Sequence, residues 1–388
     1  MHLGGMRMGG TRLVVVGGFL GAGKTTLLWQ AARQLAARGM RVGLVTNDQA
    51  SDLVDTRLLE GEGFGTEEVA GSCFCCNFPG LIQAARNLTA GLRADVILAE
   101  PVGSCADLSA TLLQPLKAVY DEEFELAPFS VLIDPVRLRE ALTGADSALH
   151  PGAAYIVRRQ VEEADVIVVN KVDELDPPAR EQLRLLIEKE FPGREVRWLS
   201  ALRNAGVAEW LDATLSGRKA GRRIAEVDYD RYAEGEASLG WLNAVVQLSP
   251  PDEPLDWPGF CRDLLEAFRQ RFQERSAEVG HVKLLLSGPA GHCVGNLTST
   301  GSRASLQDWW EPARESDDPL TMTFNARVSM EPGELERIVK ETFGAVGGEA
   351  VGVDFLTLTS LKPGRPEPTF RYREVVSSRD AAEGGSAV

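Results

Sequence analysis

The sequence predicts an α/β fold, a mostly parallel, doubly wound sheet, followed by an α+β C-terminal domain. Three observations carry that expectation. A β-branched run at residues 13–16 enters a glycine-rich turn that opens into a helix at Lys24. Short apolar runs recur at residues 41–46, 95–99, 130–133, 165–169 and 195–199, with helical stretches between them; that alternation builds a parallel sheet covered on both faces and puts ligand residues at the C-terminal ends of its strands. Beyond residue 237 the pattern changes to a βαβ internal repeat, one strand-helix-strand unit following another. The expected division is a first domain over 11–215, a linker over 216–236, a second domain over 237–375 and a disordered tail over 376–388.

At 388 residues the chain exceeds what one core usually serves. The formal charge of −15 argues against a nucleic-acid partner, because phosphate neutralisation needs clustered Lys and Arg. No apolar run approaches the roughly 20 residues that span a bilayer, and residues 1–11 hold no apolar signal-peptide core. The expectation is a cytoplasmic protein with no membrane partner, a disordered leader, and translation starting as late as Met6 or Met8. Three of the six cysteines, Cys73, Cys75 and Cys76, fall within four positions, while Cys105, Cys261 and Cys293 are scattered.

In chain order, Gly18, Gly23, Lys24 and Thr25 satisfy G-x-x-x-x-G-K-[ST] between a strand and a helix. That motif aims backbone N–H groups inward at a phosphate chain. The loop runs through Gly21 and Ala22 to Thr26; Lys24 supplies an ammonium for β/γ oxygens, and the Thr25 hydroxyl is placed for Mg²⁺. The helix N-terminus adds roughly half a positive charge. Strand 41–46 delivers Asn47 and Asp48 to its C-terminal end. Residues 49–66, with Asp52 and Asp55 but no periodicity, read as a mobile loop of the kind that switches. Asp48 or Asp55 is the acid placed to position metal or water.

Cys73, Cys75 and Cys76 can converge on one soft ion if the backbone turns between Gly71 and Pro79, leaving a fourth position open. Strand 95–99 ends in Glu100-Pro101-Val102-Gly103. A carboxylate there can hold a Mg²⁺-bound water, and Gly103 lets backbone approach a γ-phosphate. Strand 165–169 runs into Asn170-Lys171-Val172-Asp173. Asp173 can accept from the ring N–H and exocyclic amine of guanine, which adenine cannot return, with Asn170 and the Lys171 stem bracing the base. Ser200 and Ala201 follow the last strand, where backbone N–H groups would meet the base carbonyl. In the second domain the repeat starts at Trp241 and Phe324, and residues 292–298 and 369–372 are further strand candidates that give a ferredoxin-like character. Its function is not written in its sequence.

Taken together, Gly18 to Thr25, Cys73-x-Cys75-Cys76, Glu100-x-x-Gly103 and Asn170-Lys171-x-Asp173 resemble the C-x-C-C branch of the CobW family of metal-handling P-loop GTPases, over roughly residues 11–215. The resemblance implies GTP hydrolysis coupled to handling of Zn²⁺ or Co²⁺ for a client metalloprotein, metallochaperone-like. The chain departs from the family at Asn47-Asp48-Gln49-Ala50, where Asn-Glu-Phe-Gly is common, and in having only four histidines. There is no evident arginine finger, so turnover should be slow, with a client or a second subunit in a homodimer accelerating it. The competing readings are a GTP-switched zinc-binding or sensing module and, less well supported, a thiol redox protein. Adjacent cysteines form a strained disulfide, and no C-x-x-C arrangement of Cys75 and Cys76 exists.

Overall fold

A computed structural model of the chain describes residues 10–47, 54, 64–144, 149–217, 219–311 and 318–377. Its first sheet contains β1 (Thr11–Gly17), β2 (Val42–Asn47), β3 (Gly65–Val69), β4 (Val96–Glu100), β5 (Phe124–Leu126), β6 (Ser130–Ile133), β7 (Val166–Val169) and β8 (Glu195–Trp198), in the order β3-β2-β4-β1-β6-β7-β8, with β5 also pairing with β1. Every pairing is parallel. The helices are α1 (Lys24–Ala37), α2 (Phe78–Asn87), α3 (Gln114–Val119), α4 (Pro135–Thr143), α5 (Pro151–Glu163), α6 (Pro177–Glu190) and α7 (Val207–Ser216).

The period-two alternation of each strand sorts its side chains to two faces. Val14, Val16, Leu44, Leu98 and Val168 pack with Leu27, Leu28 and Leu35 of α1 and with Trp210 and Leu211 of α7. Leu13, Val15, Val45, Ile97, Val131 and Ile167 face the other way, onto Leu81 and Ile82 of α2 and Ile156 and Val161 of α5. Proline in the first turn starts α4, α5 and α6, behind the caps Asp134, His150 and Asp176. Because all strands run one way, Gly17, Asn47, Val69, Glu100 and Ile133 end on a common edge.

The second sheet comprises β9 (Gly240–Ser249), β10 (Val279–Gly288), β11 (Gly291–Leu297), β12 (Ser305–Trp310), β13 (Leu320–Val328) and β14 (Gly352–Leu361), ordered β12-β11-β10-β13-β9-β14 with all pairs antiparallel. The helix α8 (Tyr229–Ala237) precedes it, α9 (Trp257–Glu274) joins β9 to β10, and α10 (Pro332–Gly347) joins β13 to β14. The two strand-helix-strand units interleave, since β13 lies between β9 and β10. Phe268 and Phe272 of α9 meet Phe324 and Phe343 over one face. Among the described residues no helix is long and apolar enough to cross a membrane.

Three expectations need correcting. Within the stretch read as a linker, residues 229–237 form α8, whose Tyr232 and Glu236 are buried against the first domain. Residues 369–372 are not a strand. The Thr369 N–H donates to the Cys75 carbonyl at 2.8 Å and the Tyr372 N–H to the Ala110 carbonyl at 3.0 Å, so the segment lies as a strap across the first domain. Gly65 and Thr66, at the end of the stretch read as a loop, already belong to β3; Asp48, Asp52 and Asp55 lie outside the described residues.

Candidate functional site

The turn after β1 carries positive φ angles at Gly18, Gly21 and Gly23. A Cβ on Gly18 would lie 2.0 Å from the Leu132 carbonyl oxygen, so no other residue fits. The turn places Lys24 and Thr25 in the first turn of α1, both nearly buried. The Lys24 ammonium folds back over the loop and donates to the Gly18 carbonyl at 2.9 Å and to that of Phe19 at 3.4 Å. The Thr25 hydroxyl lies 3.0 and 3.2 Å from the two Glu100 carboxylate oxygens, and Lys24 Nζ lies 3.8 Å from Glu100. A hydroxyl and a carboxylate facing each other beside a phosphate-binding turn are hard oxygen donors that fit Mg²⁺. A Cβ on Gly103 would come 3.0 Å from Lys24 Nζ, so the absence of a side chain keeps that ammonium accessible.

On the other side of the cleft, Asn170 ties two loops together. Its amide donates to the Ala22 carbonyl at 2.8 Å while its oxygen accepts from the Ala201 N–H at 2.9 Å. Lys171, itself at positive φ, pairs with Asp134 at 2.6 Å. Asp173 stays partly open, 3.8 Å from Arg203, and the Ser200 hydroxyl oxygen accepts from the Arg203 N–H. Gly21, Gly23, Lys24, Thr25, Thr26, Gly103, Asn170, Lys171, Asp173, Ser200 and Ala201 line one cavity of about 600 Å³. Part of the cavity's wall, including His281, Lys283, Asn325 and Arg327, comes from the second sheet. The sequence pattern gave no sign of that wall, because its residues sit on strands with no motif.

The cysteine loop is a tight turn: the Cys76 and Asn77 N–H groups both donate to the Cys73 carbonyl. The Sγ separations are 2.7 Å for Cys73 and Cys75, 3.2 Å for Cys73 and Cys76, and 3.8 Å for Cys75 and Cys76. Three thiols converging within a single ion's reach suit a soft metal. A fourth cysteine, Cys105, is fully buried in the same apolar core as Cys73 and Cys75. Sequence reasoning passed over it, since a lone cysteine reads as a small buried hydrophobe. Hydrogen bonds from Cys105, Cys75 and Cys76 hold the Cys73 thiol far below the usual range; the bond to Cys73 helps push Cys76 up to about 11.

Asn47 connects this loop to the sheet edge. From the end of β2 its amide donates to the Val69 carbonyl at 2.7 Å and the Ser72 carbonyl at 2.8 Å, and its oxygen accepts from the Phe74 N–H at 2.8 Å. The strap covers the loop from outside. The Thr369 hydroxyl donates to the Cys76 carbonyl, Phe370 packs edge-on against Phe78, and Arg371 pairs with Asp107 at 2.6 Å.

A parallel sheet whose first strand opens through a glycine turn into a lysine- and threonine-led helix is a P-loop nucleotide-binding domain. Residues 12–196 match the model of the CobW/HypB/UreG nucleotide-binding domain. The chain is 26% identical over 209 residues to a protein named zinc chaperone CobW from Pseudomonas aeruginosa, covering 46% of this chain and 54% of the relative. It is 28% identical over 177 residues to zinc chaperone YeiR from Escherichia coli, covering 45% and 50%. It thus spans about half the length of these curated relatives. Among solved structures, zinc-bound YjiA GTPase from E. coli aligns at 17% identity over 87% of this chain and 99% of that one, with a TM-score of 0.36.

Proposed function

We propose that this chain binds and hydrolyses GTP and couples its nucleotide state to a Zn²⁺ or Co²⁺ ion carried by Cys73, Cys75 and Cys76 for delivery to a client metalloprotein. Backbone N–H groups from Gly18 to Thr26 cradle the phosphates, and Lys24 turns from the Gly18 carbonyl to the β/γ oxygens. Thr25 and Glu100 hold Mg²⁺, which when bound supplies charge at those oxygens. Gly103 brings its backbone to the γ-phosphate, and Asp173 accepts both guanine donors while Asn170, Lys171, Ser200 and Ala201 frame the base. Asp48 is proposed to position metal or water.

The observation that carries the coupled reading is Asn47. Its three hydrogen bonds fasten the cysteine loop to the end of β2, immediately before the segment assigned to switching. A displacement of that end on γ-phosphate loss therefore pulls on the loop that carries the thiols. Zinc-chaperone relatives support the choice of ion.

The test is a competition titration with a chromogenic zinc chelator in GDP and in a non-hydrolysable GTP analogue. A coupling of the usual 1–3 kcal/mol changes metal affinity by about 5- to 150-fold between the two states. Equal affinities would reduce the protein to a GTP-binding zinc module without delivery.

A further inference from the structure

The strap that crosses the cysteine loop lies in a groove selective for what fills it. It follows β14, and Pro363, Pro366 and Pro368 interrupt its row of N–H donors, so it cannot carry a strand's ladder. Separate contacts hold it instead. The Thr369 and Tyr372 N–H groups reach the Cys75 and Ala110 carbonyls, at 2.8 and 3.0 Å. Phe370 sets its ring edge-on to Phe78, 5.3 Å between centroids, and stays 42% exposed. Arg371 reaches inward, its Nε 2.6 Å from an Asp107 oxygen and its guanidinium over the Tyr229 ring.

The Arg371 contact is lopsided. Asp107 is fully buried, whereas 34% of the Arg371 side chain is exposed. One Asp107 oxygen accepts from Arg371 and from the Tyr229 hydroxyl; the other is buried with no hydrogen-bond partner among the described residues. Among those residues Arg371 is the one cation paired with it. If the guanidinium leaves, a buried carboxylate loses its counter-charge, which is the costly half of breaking such a pair. Release of the strap is therefore easiest as an exchange, with an incoming segment that returns a cation to the same place.

We propose that this groove is the docking site for an extended segment of the client, carrying an aromatic and then a basic residue in the places of Phe370 and Arg371. The proposal rests on the delivery reading above. Register makes the site useful. The Thr369 N–H and hydroxyl hold the carbonyls of Cys75 and Cys76, at 2.8 and 3.0 Å, so the residue ahead of the aromatic lies against the thiol loop. A client bound in that register sets its own chain beside Cys73, Cys75 and Cys76. Until then the strap is a tethered competitor, with an effective concentration on the order of millimolar.

The probe is a fluorescein-labelled peptide of the strap's own residues 366–373. It is titrated by fluorescence anisotropy into the full-length, reduced, metal-free chain without nucleotide. Wild type should bind it weakly, because its own strap competes, and the chain with Arg371→Ala should bind it at least about tenfold more tightly. A peptide carrying Arg371→Gln should lose that affinity, and a scrambled peptide of the same composition and charge should not bind. From the zinc-loaded Arg371→Ala chain a chromogenic chelator should strip the metal faster than from wild type, and saturating peptide should restore the slower rate. If Arg371→Ala misfolds by circular dichroism, Phe370→Ser in the chain carries the same comparison, since that ring is half-exposed. Equal peptide affinity in the folded variants and wild type overturns the proposal, as does equal binding of the scrambled peptide. A wild-type chain that binds no zinc overturns the delivery reading, and with it a metal client as the occupant, whether or not the peptide binds.

Discussion

Replacing Asn47 with alanine removes three hydrogen bonds at one buried side chain without touching any thiol or phosphate-loop residue. Each such bond contributes about 1 kcal/mol net, which gives about 3 kcal/mol. The carbonyls of Val69 and Ser72 and the N–H of Phe74 lose this partner as well, which pushes the cost upward. For domains of 150–250 residues, 1 kcal/mol moves the melting temperature by about 2–4 °C, so the expected drop is about 6–12 °C. The assay is differential scanning calorimetry of the reduced, metal-free chain, paired with the chelator titration in both nucleotide states. The nucleotide dependence of metal affinity should collapse while the thiol count stays unchanged. Asn47→Asp is the sharper variant. It keeps an acceptor for Phe74 but points an anion at two carbonyls, so it should be less stable at pH 8 than at pH 5. An Asn47→Ala protein with wild-type melting temperature and intact coupling would refute the argument that this side chain joins the two sites.

Asp173→Asn should shift base preference from guanine toward xanthine, and wild-type affinities that are equal for ATP and GTP would sink the guanine assignment. Lys24→Ala should abolish hydrolysis with the circular dichroism spectrum unchanged; retained turnover would mean the phosphate loop is misassigned. Glu236 is buried, accepts from the Ser104 hydroxyl at 2.5 Å, and is pushed up to about 8, chiefly by burial, with the nearby Cys73 charge adding to it. Its folded form therefore keeps a proton that the unfolded chain has lost above about pH 4.3, so stability falls as pH rises from there to about 8. Glu236→Gln should remove that slope, stabilising the chain by up to about 5 kcal/mol at pH 9 and by little at pH 5, as read by urea unfolding at both values. Cys75→Ser should weaken zinc in the chelator assay; unchanged affinity would move the metal site elsewhere.

The strands of the first sheet and the phosphate-loop helix were legible because their signals are local. A buried parallel strand is a continuous apolar run, and the residues after it are confined to glycines, carboxylates and small polar groups by what the sheet edge must do. Strand β6 falls where the apolar run 130–133 placed it, and β7 differs from the run 165–169 by one residue. The segments that close the site carry no such pattern. Tyr232 and Glu236 are two polar residues a turn apart; only the folded chain sets them against the Ala106 N–H and the Ser104 hydroxyl. Thr369 to Tyr372 has the alternation of a strand and does extend its N–H groups to carbonyls, but those carbonyls belong to a turn and a helix. That Lys283 reaches the cavity was invisible in the sequence, because a lysine on an amphipathic strand ordinarily faces water.

Residues 100–107 impose the strongest constraint on how the molecule works. Within this stretch, Glu100 meets Thr25, Gly103 lies beside Lys24, Cys105 shares a buried core with Cys73 and Cys75, and Asp107 holds Arg371 of the strap and the Tyr229 hydroxyl. Gln160 of α5 donates to the carbonyls of both Gly103 and Cys105, at 3.0 and 2.8 Å, so the middle of the segment is clamped on one side. A clamped segment cannot stretch to absorb a shift at Gly103. It can only transmit the shift along its backbone to Cys105, or rotate about the clamp and lift Asp107 away from Arg371. The first route changes the thiol cluster from inside, and the second uncovers it by releasing the strap. On the proposed reading, both routes start where the γ-phosphate would lie and end at Cys73, Cys75 and Cys76, alongside the connection that Asn47 makes from the end of β2.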